Sequence, residues 1–112
     1  MNYQHKNLAS GRWKNLSFLE QMAHIGSEVE RTISSKNKKN ALNKNNAFRR
    51  SLELFDLTLN ANLTFPQRKE VARAREIWVD FIKYDNEYKS TDKQWQKYFF
   101  SLLLAYKIKG PN

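Results

Sequence analysis

The residues of this 112-residue chain best suited to a binding chemistry are cations. Between Glu30 and Glu53 the sequence carries seven basic residues and no acidic one, namely Arg31, Lys36, Lys38, Lys39, Lys44, Arg49 and Arg50. Several cations close together can contact several phosphates at once, which is how proteins hold a nucleic-acid backbone. The segment therefore predicts a phosphate-binding surface, to which Arg12 adds a further cation nearer the N-terminus.

A competing interpretation of these cations is compositional. Twelve Asn and thirteen Lys indicate a coding bias toward A-rich codons, which would place Lys on any tolerant surface. A solvated connection between two helices would then be enough to explain most of the lysines. It explains Arg31, Arg49 and Arg50 less well, and the planar guanidinium suits phosphate better than an ammonium does. These three arginines are the core of the predicted site.

A catalytic chemistry has weaker support in the sequence. Glu20, His24 and Glu28 are spaced i, i+4 and i+8, which could offer metal ligands on one helix face, but a solvated face with weak pairing is the favoured interpretation. Ferritin-like metal bundles need Glu-x-x-His pairs on two helices, and none occurs here. The absence of Cys excludes disulfides, thiolate metal ligands and cysteine nucleophiles. No Gly-rich phosphate loop or nucleophile elbow is present. We expect a protein that is not an enzyme, with no catalytic residues, metal or cofactor.

The overall charge also indicates an anionic partner. Twenty Lys and Arg against eleven Asp and Glu give a net charge of +9, and residues 1–50 hold ten of the bases but only three of the acids. Nucleic acid, an acidic protein and an anionic membrane all fit this charge. The N-terminus lacks the apolar core of a signal peptide, and the longest apolar run, 98–106, is too short to span a bilayer. We therefore expect a cytoplasmic protein without a membrane partner.

The elements that must position these residues are helices. Three S/T-x-x-E/Q pairs mark helix starts at Ser17, Thr64 and Thr91, and a further helix is predicted from about Asn40 to Ala61. Apolar residues recur at helical spacing in all four segments. The predicted inner stripes are Phe18, Met22, Ile25, Val29 and Ile33; Phe48, Leu52, Phe55 and Leu59, with Ala41 in phase; Val71, Ala74, Trp78, Phe81 and Ile82; and Trp95, Tyr98, Phe99, Leu102 and Tyr106. The prediction is an all-α, antiparallel up-down-up-down four-helix bundle over 17–109.

Residues 1–16 are predicted to form an N-terminal arm, anchored on the bundle by Leu8, Trp13 and Leu16. Trp13 between Arg12 and Lys14 could instead stack on a nucleic-acid base, but packing against a helix is the favoured interpretation. Arg75 falls within the inner face of the third helix. A charge there must be paired, so we predict an ion pair with Asp56 or Glu28.

The fourth helix carries more apolar residues than a bundle requires. Phe100, Leu104 and Ile108 line up opposite its inner stripe, and Leu54 and Leu57 leave the stripe of the second helix. Because a bundle helix needs only one apolar face, these five residues predict a protein–protein contact, with a second copy or a foreign protein. Coverage by the N-terminal arm is the alternative.

Several short segments resemble a family of small uncharacterised bacterial helical proteins. They are Gly11-Arg12-Trp13, Leu16-Ser17, the run from Glu20 to Val29, Ala47-Phe48, Leu52-Glu53-Leu54, the run from Arg73 to Glu76, and Tyr98-Phe99. The match covers most of 11–106, and its motifs are structural. In size, basicity and predicted shape the chain is also similar to accessory proteins of diversity-generating retroelements, which are basic four-helix bundles that oligomerise and bind the reverse transcriptase and its RNA. That similarity assigns no individual residue.

The functional prediction combines charge, the apolar excess and this resemblance. It is a basic helical accessory protein that binds nucleic acid by its phosphate backbone, and RNA is the type of nucleic acid expected. The resemblance implies a protein partner such as a reverse transcriptase, and homo-oligomers. The alternative is a structural adaptor or homo-oligomer whose positive charge is incidental.

Overall fold

A computed structural model of the protein describes residues 11–109, which form a bundle of four α-helices and contain no strand. A short 3-10 helix, Arg12–Asn15, precedes α1 (Phe18–Asn37), α2 (Ala41–Leu59), α3 (Phe65–Lys83) and α4 (Asp92–Lys109). The predicted all-α four-helix bundle with an N-terminal arm is confirmed. The first ten residues of the arm lie outside the described residues.

The helix starts follow from side chains that cap free backbone N–H groups. Ser17 accepts from the backbone N–H of Glu20, whose carboxylate accepts from that of Ser17 in return. Thr64 with Gln67 and Thr91 with Gln94 make the same reciprocal bonds. Asn40 caps α2 by accepting from the backbone N–H of Asn43. All three capping pairs predicted from the sequence are therefore confirmed.

The core lies along α1, which packs against both α2 and α4, while α2 also packs against α3. Helices α3 and α4 contact each other through aromatic rings, since the edge of Trp95 on α4 packs against Trp78 on α3 with ring centroids 5.2 Å apart. The buried apolar residues are Trp13, Met22, Ile25, Val29, Ile33, Ala47, Phe48, Leu54, Phe55, Ala61, Val71, Ala74, Trp78, Trp95 and Phe99. Most of the predicted inner stripes are on this list, whereas Ala41 is exposed.

Trp13 anchors the end of the arm nearest α1. Its ring is 1% exposed, and its indole N–H donates to the hydroxyl of Thr58 on α2 at 2.9 Å. The backbone carbonyl of Trp13 accepts from the amide of Gln21 on α1, also at 2.9 Å. The packing interpretation of Trp13 is confirmed, and a buried ring is not available for stacking on a base. The second predicted anchor, Leu16, is half-buried against the core, and the third, Leu8, lies outside the described residues.

The prediction that Leu54 is a surface residue is wrong. Leu54 is 1% exposed and belongs to the core, and Leu57 is partly buried against it. The inner face of α2 is wider than its apolar residues alone indicate, because Ser51 and Thr58 are also fully buried on it. Their hydroxyls accept from the indole N–H groups of Trp78 and Trp13. Leu54 lies between these two positions on the same face, so it cannot form part of an external interface.

Ion pairs fix the remaining contacts between helices. Arg75 on α3 donates to Asp56 on α2 at 2.9 Å, which confirms the predicted pairing. Lys36 near the end of α1 pairs with Asp92 at the start of α4, also at 2.9 Å. The first bridge links two consecutive helices and the second links the first helix to the last, and both are partly exposed.

Candidate nucleic-acid interface

A polar groove of about 630 Å³ runs between α1 and α2 near their connection. Its α1 wall is formed by Ser27, Glu30, Arg31, Ser34 and Ser35, and its α2 wall by Asn43, Asn46, Ala47 and Arg50. The two helices are antiparallel neighbours, so the last turns of α1 face the first turns of α2. We call this the arginine groove. Two of the three predicted arginines, Arg31 and Arg50, line it.

Both arginines are held by one buried carboxylate. Glu28 has only 4% of its side chain exposed, and its two oxygens accept from Arg31 at 3.0 Å and from Arg50 at 2.9 Å. A buried carboxylate needs such partners, because an unpaired buried charge costs several kcal/mol. One negative charge shared by two guanidinium groups leaves this triad with a net charge of +1. The geometry fixes where the two cations stand on the groove wall.

The third predicted arginine, Arg49, is exposed on α2 and donates to the side chain of Asn46 at 3.0 Å. Since Asn46 lines the groove, Arg49 stands beside the groove rather than in its wall. The structure therefore brings Arg31, Arg49 and Arg50 together at one face of the α1–α2 hairpin.

The predicted lysines are placed less uniformly. Lys38 and Lys39 are exposed in the connection between α1 and α2, and Lys44 is half-buried in the first turn of α2. Lys36 is directed toward other helices, where it pairs with Asp92 and lies 5.1 Å from the centre of the Phe81 ring. Arg12 is exposed on the 3-10 helix, at the opposite end of the bundle. Neither Lys36 nor Arg12 joins the arginine groove.

Sequence reasoning missed the neutral polar residues of the groove. The sequence alone predicts a polar connection at Ser34 and Ser35, and the first turns of a helix at Asn43 and Asn46. In the structure they line the groove between the arginines. A signal was present, because the α1 wall recurs at i, i+3, i+4, i+7 and i+8 from Ser27. The α2 wall recurs at i, i+3, i+4 and i+7 from Asn43. Polar stripes with helical spacing on consecutive helices predict a shared polar groove.

The three residues weighed as metal ligands serve different contacts. Glu20 caps α1, the ring of His24 packs against Trp13 at 5.5 Å between centroids, and Glu28 is the carboxylate of the arginine triad. Within 11–109 no group of three or more His, Asp or Glu residues could hold a metal ion.

The α4 residues predicted to be exposed are at the surface. Phe100 is 64% exposed, Leu104 48% and Ile108 77%, and Leu103 beside them is 37% exposed. Phe100 and Leu103 line a second groove of about 600 Å³ between α1 and α4, whose α1 side is made of Ala23, Gly26, Ser27, Val29 and Glu30. We call the four α4 side chains the apolar stripe.

Two side chains on α4 have shifted pKa values with clear causes. Burial raises the pKa of Tyr98, and the hydrogen bond from its hydroxyl to Glu70, at 2.6 Å, raises it further. Tyr98 therefore remains a protonated donor at any working pH. Burial raises the pKa of Asp92, but contacts with Lys36 and Asn37 outweigh this, so its pKa lies below the ordinary value. Both groups connect helices and lie away from the arginine groove.

No protein-family model, curated protein or solved structure matches the chain. None of the helices in 11–109 combines the length and apolar character needed to cross a bilayer. The similarity to retroelement accessory proteins thus stays a prediction from the sequence, and the groove's own chemistry is the basis for a function.

Proposed function

We propose that this protein binds nucleic acid, namely RNA, through the arginine groove and its lysine-rich connection. The observation that supports this most directly is the triad of Arg31, Glu28 and Arg50, with distances of 3.0 and 2.9 Å. Holding both guanidinium groups in place before binding reduces the entropy lost when a phosphate is engaged.

The serine and asparagine residues of the groove fit contacts to a sugar–phosphate backbone, whereas Glu30 in the α1 wall would repel a phosphate. Serine and asparagine side chains donate to phosphate oxygens and to ribose hydroxyls, and arginine can do so with two parallel bonds. Lys38 and Lys39 at the open end extend the positive surface. No aromatic side chain is among the residues that line the groove, and the four helices of 11–109 pack against one another in the bundle, so the binding would read backbone and shape rather than base sequence.

The role that fits such a module is that of a non-enzymatic accessory protein. It would hold RNA by its backbone while a protein partner, such as a reverse transcriptase, performs the chemistry. The apolar stripe on α4 offers a separate surface for protein contacts. The groove beside it contains no residue of α2, so a protein bound there would leave the α2 wall of the arginine groove uncovered.

The test compares two variants with equal charge loss. In the groove variant, Arg31→Gln and Arg49→Gln are combined, which leaves Arg50 to pair with Glu28. In the control variant, Lys69→Gln and Arg73→Gln are combined on exposed positions of α3. Affinity for a labelled single-stranded RNA is measured at several salt concentrations for both variants and the parent.

We expect the groove variant to bind more weakly and with a flatter dependence on salt. Each phosphate contact on a single strand contributes about −0.7 to the slope of log affinity against log salt, so two lost contacts flatten it by about 1.4. The control should keep the parent's slope. Equal slopes for the two variants, or affinity without salt dependence in the parent, would overturn the proposal.

A second candidate function is a structural adaptor whose charge is incidental, and the exposed apolar stripe favours it. This function predicts that the purified protein carries no nucleic acid. The absorbance ratio at 260 and 280 nm of the protein as purified separates the two functions. Nucleic acid that copurifies in the parent, and is lost in the groove variant, supports the first function.

A further inference from the structure

One acidic side chain stands in the wall of the arginine groove. Glu30 lies on α1, one turn after Ser27 and one turn before Ser34, and it is exposed. It is the single carboxylate among the residues that line the groove, since Glu28 is buried and paired with the two arginines. A carboxylate in this wall weakens the attraction for any phosphate. Whatever Glu30 contributes to binding therefore has to come from another part of the ligand.

The contacts of Glu30 engage one of its two oxygens. Its Oε1 accepts a hydrogen bond from the side-chain amide of Gln96 on α4 at 3.4 Å. Among residues 11–109, Oε2 has no hydrogen-bond or ion-pair partner. Glu30 stands on the ridge of α1 between the two grooves, because it also borders the α1–α4 groove. One acceptor oxygen at the edge of the arginine groove is thus left for a ligand.

The two nucleic acids differ in what their backbones can offer to such an acceptor. The sugar–phosphate backbone of DNA presents hydrogen-bond acceptors only, whereas RNA adds a donor on every nucleotide, the ribose 2′-hydroxyl. An ionised carboxylate only accepts, while the serine hydroxyls and asparagine amides of the groove both donate and accept. Glu30 is therefore the residue in the wall that an RNA backbone can satisfy and a DNA backbone cannot.

We propose that Glu30 makes the arginine groove select RNA over DNA, by accepting a hydrogen bond from a ribose 2′-hydroxyl. The Cα atoms of consecutive residues are about 3.8 Å apart, so a phosphate held by Arg31 brings the attached sugar next to Glu30. With RNA, the new hydrogen bond offsets the repulsion between carboxylate and phosphate. With DNA, the repulsion stays and the carboxylate loses water without gaining a donor. The inference rests on the proposed function and names the residue that sets the type of sugar.

Three oligonucleotides of one sequence test this selection. The strand contains only adenosine and cytidine, so that its RNA and DNA forms differ at the sugar alone, and the third form carries a 2′-fluorine. The 2′-fluoro sugar keeps the shape of ribose but has no donor, which separates hydrogen bonding from shape. Affinities are measured by fluorescence anisotropy at one salt concentration, with EDTA present so that no divalent cation bridges the carboxylate to a phosphate.

We expect the parent to bind the RNA about tenfold more tightly than either other strand, since hydrogen bonds to charged groups are the stronger kind. Glu30→Gln should bind all three strands with similar affinity, mainly because the DNA and the 2′-fluoro strand bind more tightly. The glutamine keeps an oxygen for Gln96 and adds an amide that can donate to a phosphate. The control, Glu87→Gln, removes the same charge from an exposed position between α3 and α4 and should keep the tenfold preference.

The outcomes separate this inference from the proposed function. Equal binding of the three strands by the parent, with the salt dependence expected of the groove, would overturn the role of Glu30 and leave RNA binding standing. A preference that survives in Glu30→Gln would overturn the role as well. A 2′-fluoro strand bound as tightly as RNA would assign the preference to the shape of the sugar. A parent with no affinity for any of the strands would overturn the proposed function and this inference together.

Discussion

Glu28 is the residue on which the chemistry of the candidate site depends. Its carboxylate is almost completely buried, yet it meets two guanidinium groups of unequal exposure, Arg31 at 63% and Arg50 at 28%. A buried charge contributes little net stability when paired, but it is costly when one partner is removed. The two arginines therefore differ in what they do. Arg50 mainly keeps Glu28 paired, and Arg31 mainly presents a cation to solvent.

Substituting each arginine in turn should show this difference. Arg50→Gln removes the more buried guanidinium from Glu28 and keeps Arg31, so we expect the free energy of unfolding to fall by about 2 kcal/mol, short of the loss for a fully orphaned buried charge. Arg31→Gln should cost less than about 1 kcal/mol, as is typical of an exposed pair. Urea denaturation measures both. Equal losses would show that the burial of the two arginines does not matter.

The bond between Trp13 and Thr58 offers a second residue-scale measurement. Thr58→Val keeps the shape of the side chain but removes the acceptor 2.9 Å from the indole N–H. Leaving that buried donor without a partner should lower the free energy of unfolding by about 1–3 kcal/mol. Thr58→Ser, which keeps the hydroxyl, is the control. In a Trp13→Phe background, which lacks the indole N–H, the Thr58→Val substitution should lower the free energy of unfolding by much less. An equal loss in both backgrounds would mean that the hydrogen bond between Trp13 and Thr58 is not the cause of the loss.

At the scale of elements, helix starts and most inner faces could be predicted because their causes are local. A capping pair lies within four residues, and the apolar residues of α1 recur at helical spacing from Phe18 to Ile33, although polar Gln21, Glu28 and Thr32 are buried beside them. The full inner face of α2 could not be predicted, because it includes the polar residues Ser51 and Thr58. Each is buried against a tryptophan far away in the sequence, Trp78 at 27 residues and Trp13 at 45 residues. The candidate site shows the same limit. Residue type alone was enough to select the arginines as candidate phosphate ligands. Only the packing of α1 on α2 shows that Arg31 and Arg50 both pair with Glu28, whereas Lys36 pairs with Asp92.

The contact between α1 and α4 makes Gly26 a testable position. A Cβ at residue 26 would lie 3.0–3.1 Å from the Cδ1, Cβ and Cγ atoms of Phe99. Replacing Gly by Ala inside a helix normally stabilises it by about 1 kcal/mol. Here overpacking, which costs about 1–3 kcal/mol, should outweigh that gain, because Phe99 Cβ cannot move without shifting α4. We expect Gly26→Ala to destabilise the fold by about 1 kcal/mol in urea denaturation.

The same contact can be checked with a double variant. Phe99→Leu removes the ring atoms that the new Cβ would meet, so the cost of Gly26→Ala should shrink or reverse in that background. Additive effects of the two substitutions would mean that the two helices do not approach as closely here as the structure shows.

The ion pair between Lys36 on α1 and Asp92 on α4 should make the free energy of unfolding depend on pH in the acidic range. The pKa of Asp92 lies below its value in an unfolded chain because Lys36 and Asn37 stabilise the carboxylate against its burial. A lowered pKa stabilises the fold above the unfolded value of about 3.9, and this stability is lost as pH falls through the lower folded pKa. Asp92→Asn should therefore cost less than about 1 kcal/mol at pH 7, since the pair is partly exposed. In urea denaturation at a series of pH values, the difference from the parent should be constant down to about pH 5 and vanish well below pH 4. A difference that persists at low pH would assign the effect to something other than the charge.

At the scale of the whole molecule, α1 connects the two proposed surfaces. Ser27 and Glu30 border both the arginine groove toward α2 and the apolar groove toward α4. A substitution at either of these two residues would therefore change both grooves at once, whereas Arg50 on α2 lines the arginine groove alone. The +9 charge of the chain is concentrated in its first half, which holds ten of the bases and three of the acids. Because α1 and α2 make up most of that half, the excess of positive charge lies on the helices that form the arginine groove.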